Sequence, residues 1–228
     1  FTVVNHMLLP KGFKNSIEED YWHLSKEVQI WDVSCQRQVQ ISGPDALKLV
    51  QKMTPRSLRN MEIGKCFYIP MLNQSAGMIN DPVLLKLDDD MFWISIADSD
   101  ILLWAKGYAL GLNLDVEIIE PDVYPLAIQG PKAIETMQSI CDADLNQLAY
   151  YNHTTTRFAG VKNVLVATTG YTGESGIEIF FDILEAKKIW KAVMEAGADL
   201  GILPVGLAAR DTLRLEMGYC LYENEIND

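Results

Sequence analysis

The sequence predicts an α+β chain made of two related units, each an antiparallel sheet packed against helices. Three observations carry this. Short strand-like runs separated by turn residues follow one another from Cys66 to Ala97 with no helix between them, the pattern of an antiparallel meander. A strand, a Gly-Pro pair and a helix start occur at Ile41-Ser42-Gly43-Pro44-Asp45-Ala46 and again at Ile128-Gln129-Gly130-Pro131-Lys132-Ala133. The 228 residues, 49% of them apolar, are enough for two hydrophobic cores. Read as a duplication, the echo sets a boundary near residues 119–123 and domains of 1–121 and 122–228, with 1–45 and 200–228 able to pack across both. Read more plainly, Gly-Pro before a helix is a common capping device.

Taken in order, residues 1–15 read as an irregular entry broken by Pro10 and Gly12. Ser16 caps a helix from Ile17 to Lys26, and Glu19 stands at capping-box spacing from it. Trp31-Asp32-Val33 and Gln38 to Ile41 are short strands. Gly43-Pro44-Asp45 opens a helix to about Met53, with proline in the first turn, where its missing N–H costs nothing. Strands run from Cys66 to Met71, from Met78 to Lys86 with an interruption at Asn80-Asp81-Pro82, and from Phe92 to Ala97. Asp98-Ser99-Asp100 caps a helix to about Leu110. Val116 to Glu120 and Tyr124 to Ile128 are strands, and the second Gly-Pro starts a second helix. Thr154 to Phe158, Val161 to Thr168 and Ile177 to Asp182 are strands. Leu184 to Ala196 is an amphipathic helix, and Pro204 opens a last one from Val205 to about Met217.

Composition excludes several classes. The net charge is −12, which disfavours non-specific binding to nucleic acid or an anionic membrane. The most apolar region, Ile94 to Leu112, is interrupted by Asp98, Asp100 and Lys106, so no span approaches the ~20 residues a crossing helix needs. No signal peptide opens the chain, and the missing initiator Met reads as a fragment. Cys35, Cys66, Cys141 and Cys220 form no CxxC pair, and His6, His23 and His153 lack ligand spacing, so no metal is expected. Reduced thiols point to a cytoplasmic protein, or one of the mitochondrial matrix in a eukaryote.

Three places could carry chemistry. The first is the glycine-rich stretch Gly170-Tyr171-Thr172-Gly173-Glu174-Ser175-Gly176, which can fold tightly around a flat ligand. Glu178 follows it between Ile177 and Ile179. If those isoleucines face the core, strand alternation puts Glu178 in solvent; if they face outward, Glu178 points inward. A carboxylate suits a planar edge with two adjacent N–H donors, because both oxygens accept at once. The second is Tyr68 with Asp81, across one hairpin. Asp before Pro inside a strand is either a bulge or edge device, or a residue with a job. The third is Arg210, with Arg214 on the same side of the last helix. Arg binds carboxylate or phosphate bidentately, but an amphipathic helix with solvated charges accounts for the pair as well.

Together these residues resemble a known family. Gly170 to Ile179 looks like the folate-binding loop of the glycine cleavage T-protein (aminomethyltransferase) family. Gly206-Leu207-Ala208-Ala209-Arg210-Asp211-Thr212-Leu213-Arg214-Leu215-Glu216 with Cys220-Leu221-Tyr222 is similar to its second signature. Tyr68 to Asp81 resembles the hairpin carrying its catalytic aspartate. The first half, notably Asn5 to Pro10, Trp31 to Ser34, Gln38 to Gly43, Asn80 to Lys86 and Trp93 to Asp100, resembles the dimethylsulfoniopropionate demethylase branch. Where that family usually has two adjacent aspartates, this chain has Asn80-Asp81. The resemblance implies two ferredoxin-like α/β sandwich domains, followed by a C-terminal barrel that this chain lacks. It implies tetrahydrofolate as cofactor, Asp81 as the catalytic residue, and Tyr68, Tyr171, Glu178 and Arg210 as folate-binding residues, Arg210 meeting the folate's glutamate carboxylate. The activity implied is methyl transfer from a small sulfonium donor such as dimethylsulfoniopropionate to tetrahydrofolate. The alternatives are an aminomethyltransferase served by a lipoyl carrier protein, and a non-catalytic folate-binding protein.

Overall fold

The computed structural model describes residues 1–97 and 99–228. Asp98, expected to share in capping a helix, lies outside the described residues. The elements in chain order are β1 (Thr2–Val4), β2 (Met7–Leu9), α1 (Ile17–Leu24), β3 (Gln29–Asp32), β4 (Gln38–Ser42), α2 (Ala46–Met53), β5 (Cys66–Tyr68), β6 (Met71–Leu72), β7 (Met78–Asn80), β8 (Val83–Asp88), β9 (Met91–Ser95), α3 (Ile101–Gly111), β10 (Glu117–Ile119), β11 (Val123–Gln129), α4 (Ala133–Gln138), β12 (His153–Phe158), β13 (Val161–Ala167), β14 (Gly176–Asp182), α5 (Ala186–Ala196), β15 (Leu203–Pro204) and α6 (Leu207–Glu216). They form two units, one of Phe1–Ser34 with Asp122–Tyr219, the other of Cys35–Pro121 with Cys220–Asp228. The sequence division at 121/122 places residues 1–34 with the first half. In the structure β3 pairs with β11 from Leu126↔Asp32 to Gln129↔Gln29, which draws the N-terminal segment into the unit of the second half. The chain end joins the other unit, where the Met78 N–H donates to the Asn227 carbonyl.

The first unit is built on a sheet of strand order β12-β13-β14-β11-β3-β15, antiparallel except for β15 beside β3. On one face, Ile128, Val164, Val166, Ile177, Ile179 and Phe181 pack against Ala133 and Met137 of α4 and Ile189 and Val193 of α5. On the other, Trp31 and Ala127 are covered by Leu24 of α1 and by Ala209 and Leu213 of α6. The unit is thus a helix–sheet–helix sandwich, and from Ile177 to Phe181 every residue of β14 is buried. Apolar alternation reads only the face toward α4 and α5.

The α6 helix is anchored at its start. Leu207 and Ala208 donate their backbone N–H groups to the Pro10 and Lys11 carbonyls, satisfying donors that a helix start leaves open. Gly206 is required there, since a Cβ would lie 2.1 Å from the Lys11 carbonyl carbon. Pro204 does not open this helix, as the sequence suggested. It lies in β15, paired with Ile30 at the sheet edge, where its missing N–H is tolerated. The first residues are not irregular either. Asn5 and His6 both take positive φ and turn β1 into β2, the two-residue hairpin turn that asparagine favours.

The echo has a physical reason. Gly43 and Gly130 take φ of +119° and +125°, and a Cβ on either would strike a backbone oxygen, Asp115 O at 2.9 Å or Glu27 O at 2.2 Å. Each strand therefore needs glycine to pass a neighbouring loop. The helices start two residues beyond the prolines, at Ala46 and Ala133, not in a turn that contains them. At α1 the capping box of Ser16 and Glu19 is present on both sides.

The second unit has a five-stranded antiparallel sheet of order β10-β4-β9-β8-β5. Val39, Ile41, Leu84, Phe92 and Ile94 pack beneath α2 and α3, through Leu49, Val50, Met53, Ile101 and Ala105. A separate ribbon, β6–β7, leaves the sheet where the sequence showed an interrupted strand. Both units thus have the expected antiparallel α+β build, and neither sheet closes into a barrel among the described residues. Among the described residues, no helix is long and apolar enough to cross a membrane.

Candidate functional site

In the first unit the site grows from β14. Glu178 stands across from Ala127 on β11 and Ala167 on β13. Both neighbours are small, which leaves room for α6 to approach that face, and Ala209 of α6 is itself 1% exposed. Ile177 and Ile179 do face the core, yet Glu178 is not in solvent: it is 5% exposed, because the opposite face carries its own helices. Its Oε2 accepts a 2.5 Å hydrogen bond from the Thr169 hydroxyl. Its Oε1 lies 3.9 Å from Nη2 of Arg210, itself 9% exposed. That distance is an ion pair beyond hydrogen-bond range, so Oε1 retains acceptor capacity.

Arg210 is therefore not on a solvated helix face. Its guanidinium sits 5.0 Å from the Tyr171 ring centroid, at the glycine loop. Tyr171 stacks at 5.9 Å on Tyr219, just beyond α6. Partial burial, then the neighbouring Tyr219, then the Glu178 charge push the Tyr150 phenol above its ordinary pKa, although the residue as a whole is 71% exposed. Arg214 serves a local purpose: 3% exposed, it pairs with Asp211 at 2.7 Å and donates to the Tyr219 carbonyl at 3.1 Å. Thr169 and Tyr219 carry no sequence motif; they reach Glu178 and Tyr171 only through the fold.

In the second unit, Asp81 lies where the chain leaves β7 for β8. The ladder does not run through it: Tyr68 pairs with Val83, and the Ile69 N–H donates to the Pro82 carbonyl. The break lets β7 pair with β6 while β8 pairs with β5 and β9. The Tyr68 hydroxyl donates to Asp81 Oδ2 at 3.2 Å. Burial pushes the Asp81 carboxyl up to about 6, against the downward pull of the Tyr68 hydroxyl and its own backbone N–H. At neutral pH it is mostly an anion held in a poorly hydrated place. Asn80 is fully buried and spends both ends of its amide on the neighbouring loop. Its NH2 donates to the Ser99 hydroxyl at 2.6 Å, and its oxygen accepts from the Ala97 N–H at 3.0 Å. An aspartate there could not donate to Ser99 without a proton, so Asn80 holds the hairpin and leaves the acid chemistry to Asp81.

The GCVT N-terminal domain family matches residues 1–228. The chain is 40% identical over 227 residues to the dimethylsulfoniopropionate demethylase DmdA of Ruegeria pomeroyi, covering 99% of this chain and 61% of that protein. It is 41% identical over 204 residues to the aminomethyltransferase of Flavobacterium psychrophilum, covering 88% of this chain and 56% of that protein. The solved structure of glycine cleavage system aminomethyltransferase T from Bartonella henselae superposes with a TM-score of 0.89 at 25% identity, over 99% of this chain and 61% of that one. The chain spans about 60% of the length of these relatives.

Two stability measurements follow from this geometry. Arg210→Met strands a buried carboxylate and is expected to cost about 3–5 kcal/mol in urea unfolding, with part of the loss recovered in the Glu178→Gln/Arg210→Met pair. Equal losses in the single and double variants would show that the two charges do not interact. For Asp81, the unfolded chain releases its proton near 3.8 and the folded chain near 6. The folded state holds more proton in between, so stability falls as pH rises through that window. Asp81→Asn is expected to stabilise the chain by up to about 3 kcal/mol at pH 7.5, and by nothing below pH 4. A pH-independent effect in thermal unfolding would refute the buried-anion reading.

Proposed function

The chain belongs to the GCVT N-terminal domain family, and from that premise we propose that it is the folate-binding part of a tetrahydrofolate-dependent one-carbon transferase. The observation that carries the reading is the buried Glu178 carboxylate, held by Thr169 and Arg210 beside the glycine loop. A carboxylate that keeps acceptor capacity while its charge is balanced fits the edge of a pterin, which presents adjacent N–H donors. Tyr171, in contact with Arg210 and Tyr219, adds an aromatic ring beside the glycine loop, the kind of group a planar ligand packs against. Arg210, assigned on resemblance to the folate's glutamate tail, is given a different part here: it neutralises Glu178 and keeps it in place.

The folate would supply the ring nitrogen that takes up the one-carbon unit. Asp81, an anion at neutral pH in a site that disfavours charge, would steady the positive charge of a sulfonium or ammonium donor and orient the reacting groups. Tyr68 would hold that carboxylate by its hydroxyl. Transfer of a group between two bound partners needs alignment and electrostatics, with no covalent bond to the protein. We place the protein in the cytoplasm, or in the mitochondrial matrix of a eukaryote, and assign it no nucleic-acid or membrane partner.

For the donor we favour a small sulfonium compound such as dimethylsulfoniopropionate, since the match to the demethylase runs over nearly the whole chain. The aminomethyltransferase match, at equal identity over a shorter stretch, keeps the second reading, in which a lipoyl carrier protein delivers the one-carbon unit. Incubating the complete protein and tetrahydrofolate with each donor separates the readings. Methyl-tetrahydrofolate from dimethylsulfoniopropionate is expected; ammonia release from an aminomethylated lipoyl carrier would select the alternative. Folate binding with no turnover on any donor would leave a non-catalytic folate-binding protein.

Two variants test the residues. Glu178→Gln is expected to weaken tetrahydrofolate binding by about 1–3 kcal/mol in calorimetry, the range for a hydrogen bond to a charged group, and unchanged affinity would remove Glu178 from the ligand. Asp81→Asn in the complete protein is expected to lose turnover by roughly two orders of magnitude or more while folate binding persists. Retained turnover would free Asp81 of a catalytic role.

A further inference from the structure

Gln129 ends β11 directly beneath the glycine loop, and its side chain is 1% exposed. Its amide is committed to that loop from both ends. Nε2 donates toward the Thr169 carbonyl at 3.2 Å, the Ile128 carbonyl at 3.3 Å and the Ile177 carbonyl at 3.5 Å. Oε1 accepts from the Thr172 hydroxyl at 3.1 Å. This side chain crowds two of the loop glycines, Gly170 by itself and Gly176 together with the Ile128 backbone. A Cβ on Gly170 would lie 2.1 Å from Gln129 Oε1, and one on Gly176 would lie 2.7 Å from Nε2 and 2.2 Å from the Ile128 carbonyl oxygen. The third, Gly173, takes φ +80° over Met217, where a Cβ would lie 2.4 Å from the Met217 side chain. The loop is thus pressed between one buried amide and the end of α6.

The neighbours of Gln129 are the residues the ligand would meet. Thr169, whose carbonyl Gln129 holds, gives its hydroxyl to Glu178. Thr172, whose hydroxyl Gln129 receives, follows Tyr171. We propose that Gln129 is the positioning residue of this site: it touches no ligand, but sets the loop so that Thr169 orients the Glu178 carboxylate and Tyr171 presents its ring. The inference rests on the folate-binding reading above. Only a side chain with donor and acceptor on one rigid plane serves both loop ends, so an apolar residue of the same size leaves several buried polar groups unpaired.

The test is calorimetric binding of tetrahydrofolate, under anaerobic conditions, to the complete wild-type protein and to its Gln129→Leu, Thr172→Val and double variants, with amide hydrogen exchange on each. Wild-type binding is expected, and no binding by the wild type would overturn the folate reading and this inference with it. Gln129→Leu, folded by circular dichroism, is expected to bind about tenfold or more weaker, the effect of losing roughly one to two buried hydrogen bonds. The amides of residues 170–176 should then exchange faster while those of 177–181 stay protected. Because Gln129 acts through Thr172, the double variant should bind no worse than Gln129→Leu alone. Affinity within twofold of wild type, or protection lost equally in loop and strand, overturns the positioning role while wild-type binding keeps the folate reading standing. If Gln129→Leu does not fold, Thr172→Val decides: a loss of about fivefold supports the role, the size expected for one hydrogen bond, and unchanged affinity overturns it.

Discussion

Glu178 and Arg210 face each other at 3.9 Å, in a layer where neither is more than 9% exposed. Two charges taken out of water in this way cost several kcal/mol each unless their geometry returns it. Much of the first unit can be read as meeting that condition. The alanines across from Glu178 make the space, Thr169 satisfies one oxygen, and Tyr171 lies over the guanidinium. The anchoring of α6 on Pro10 and Lys11 fixes where the guanidinium arrives. A helix free to slide by one residue would carry Arg210 about 100° around its axis and strand the carboxylate.

The glycine loop depends on the same layer from the other side. Its glycines answer three distinct contacts, Gly170 with Gln129, Gly176 with the Ile128 carbonyl and Gln129, and Gly173 with Met217, so its sharp course is imposed by neighbours and not by flexibility. A loop held this way loses little conformational entropy when a planar ligand docks, which favours affinity. The second unit uses a different device. Asp81 sits at the point where a strand changes sheets, outside any ladder, and Asn80 beside it takes up the structural bonds. One residue of the pair is spent on architecture so that the other can remain a carboxylate with a raised pKa.

Most of the elements were legible in the sequence: the capping box at α1, the strands of the meander, and the Gly-Pro echo, whose glycines turn out to need positive φ at both places. Asp81 was legible as an oddity, because Asp-Pro interrupts an apolar run. The first hairpin was not read, since three-residue strands leave almost no alternation to see. Pro204 was misplaced because proline suits a helix start and a sheet edge equally well. Gln129 gave no signal at all: a lone Gln before Gly-Pro looks like any strand end.

Local chemistry decided by itself where this chain turns, caps and alternates, because capping, positive φ and period-two patterning act within a few residues. It also decided which residue types were available to a site: a carboxylate after a glycine loop, an Asp before Pro, an Arg on the last helix. The tertiary structure alone decided that Glu178 is buried and paired. Alternation can say which side of a strand a residue faces, but not whether a distant segment covers that side. Here the cover is α6, whose Arg210 lies 32 positions along the chain from Glu178.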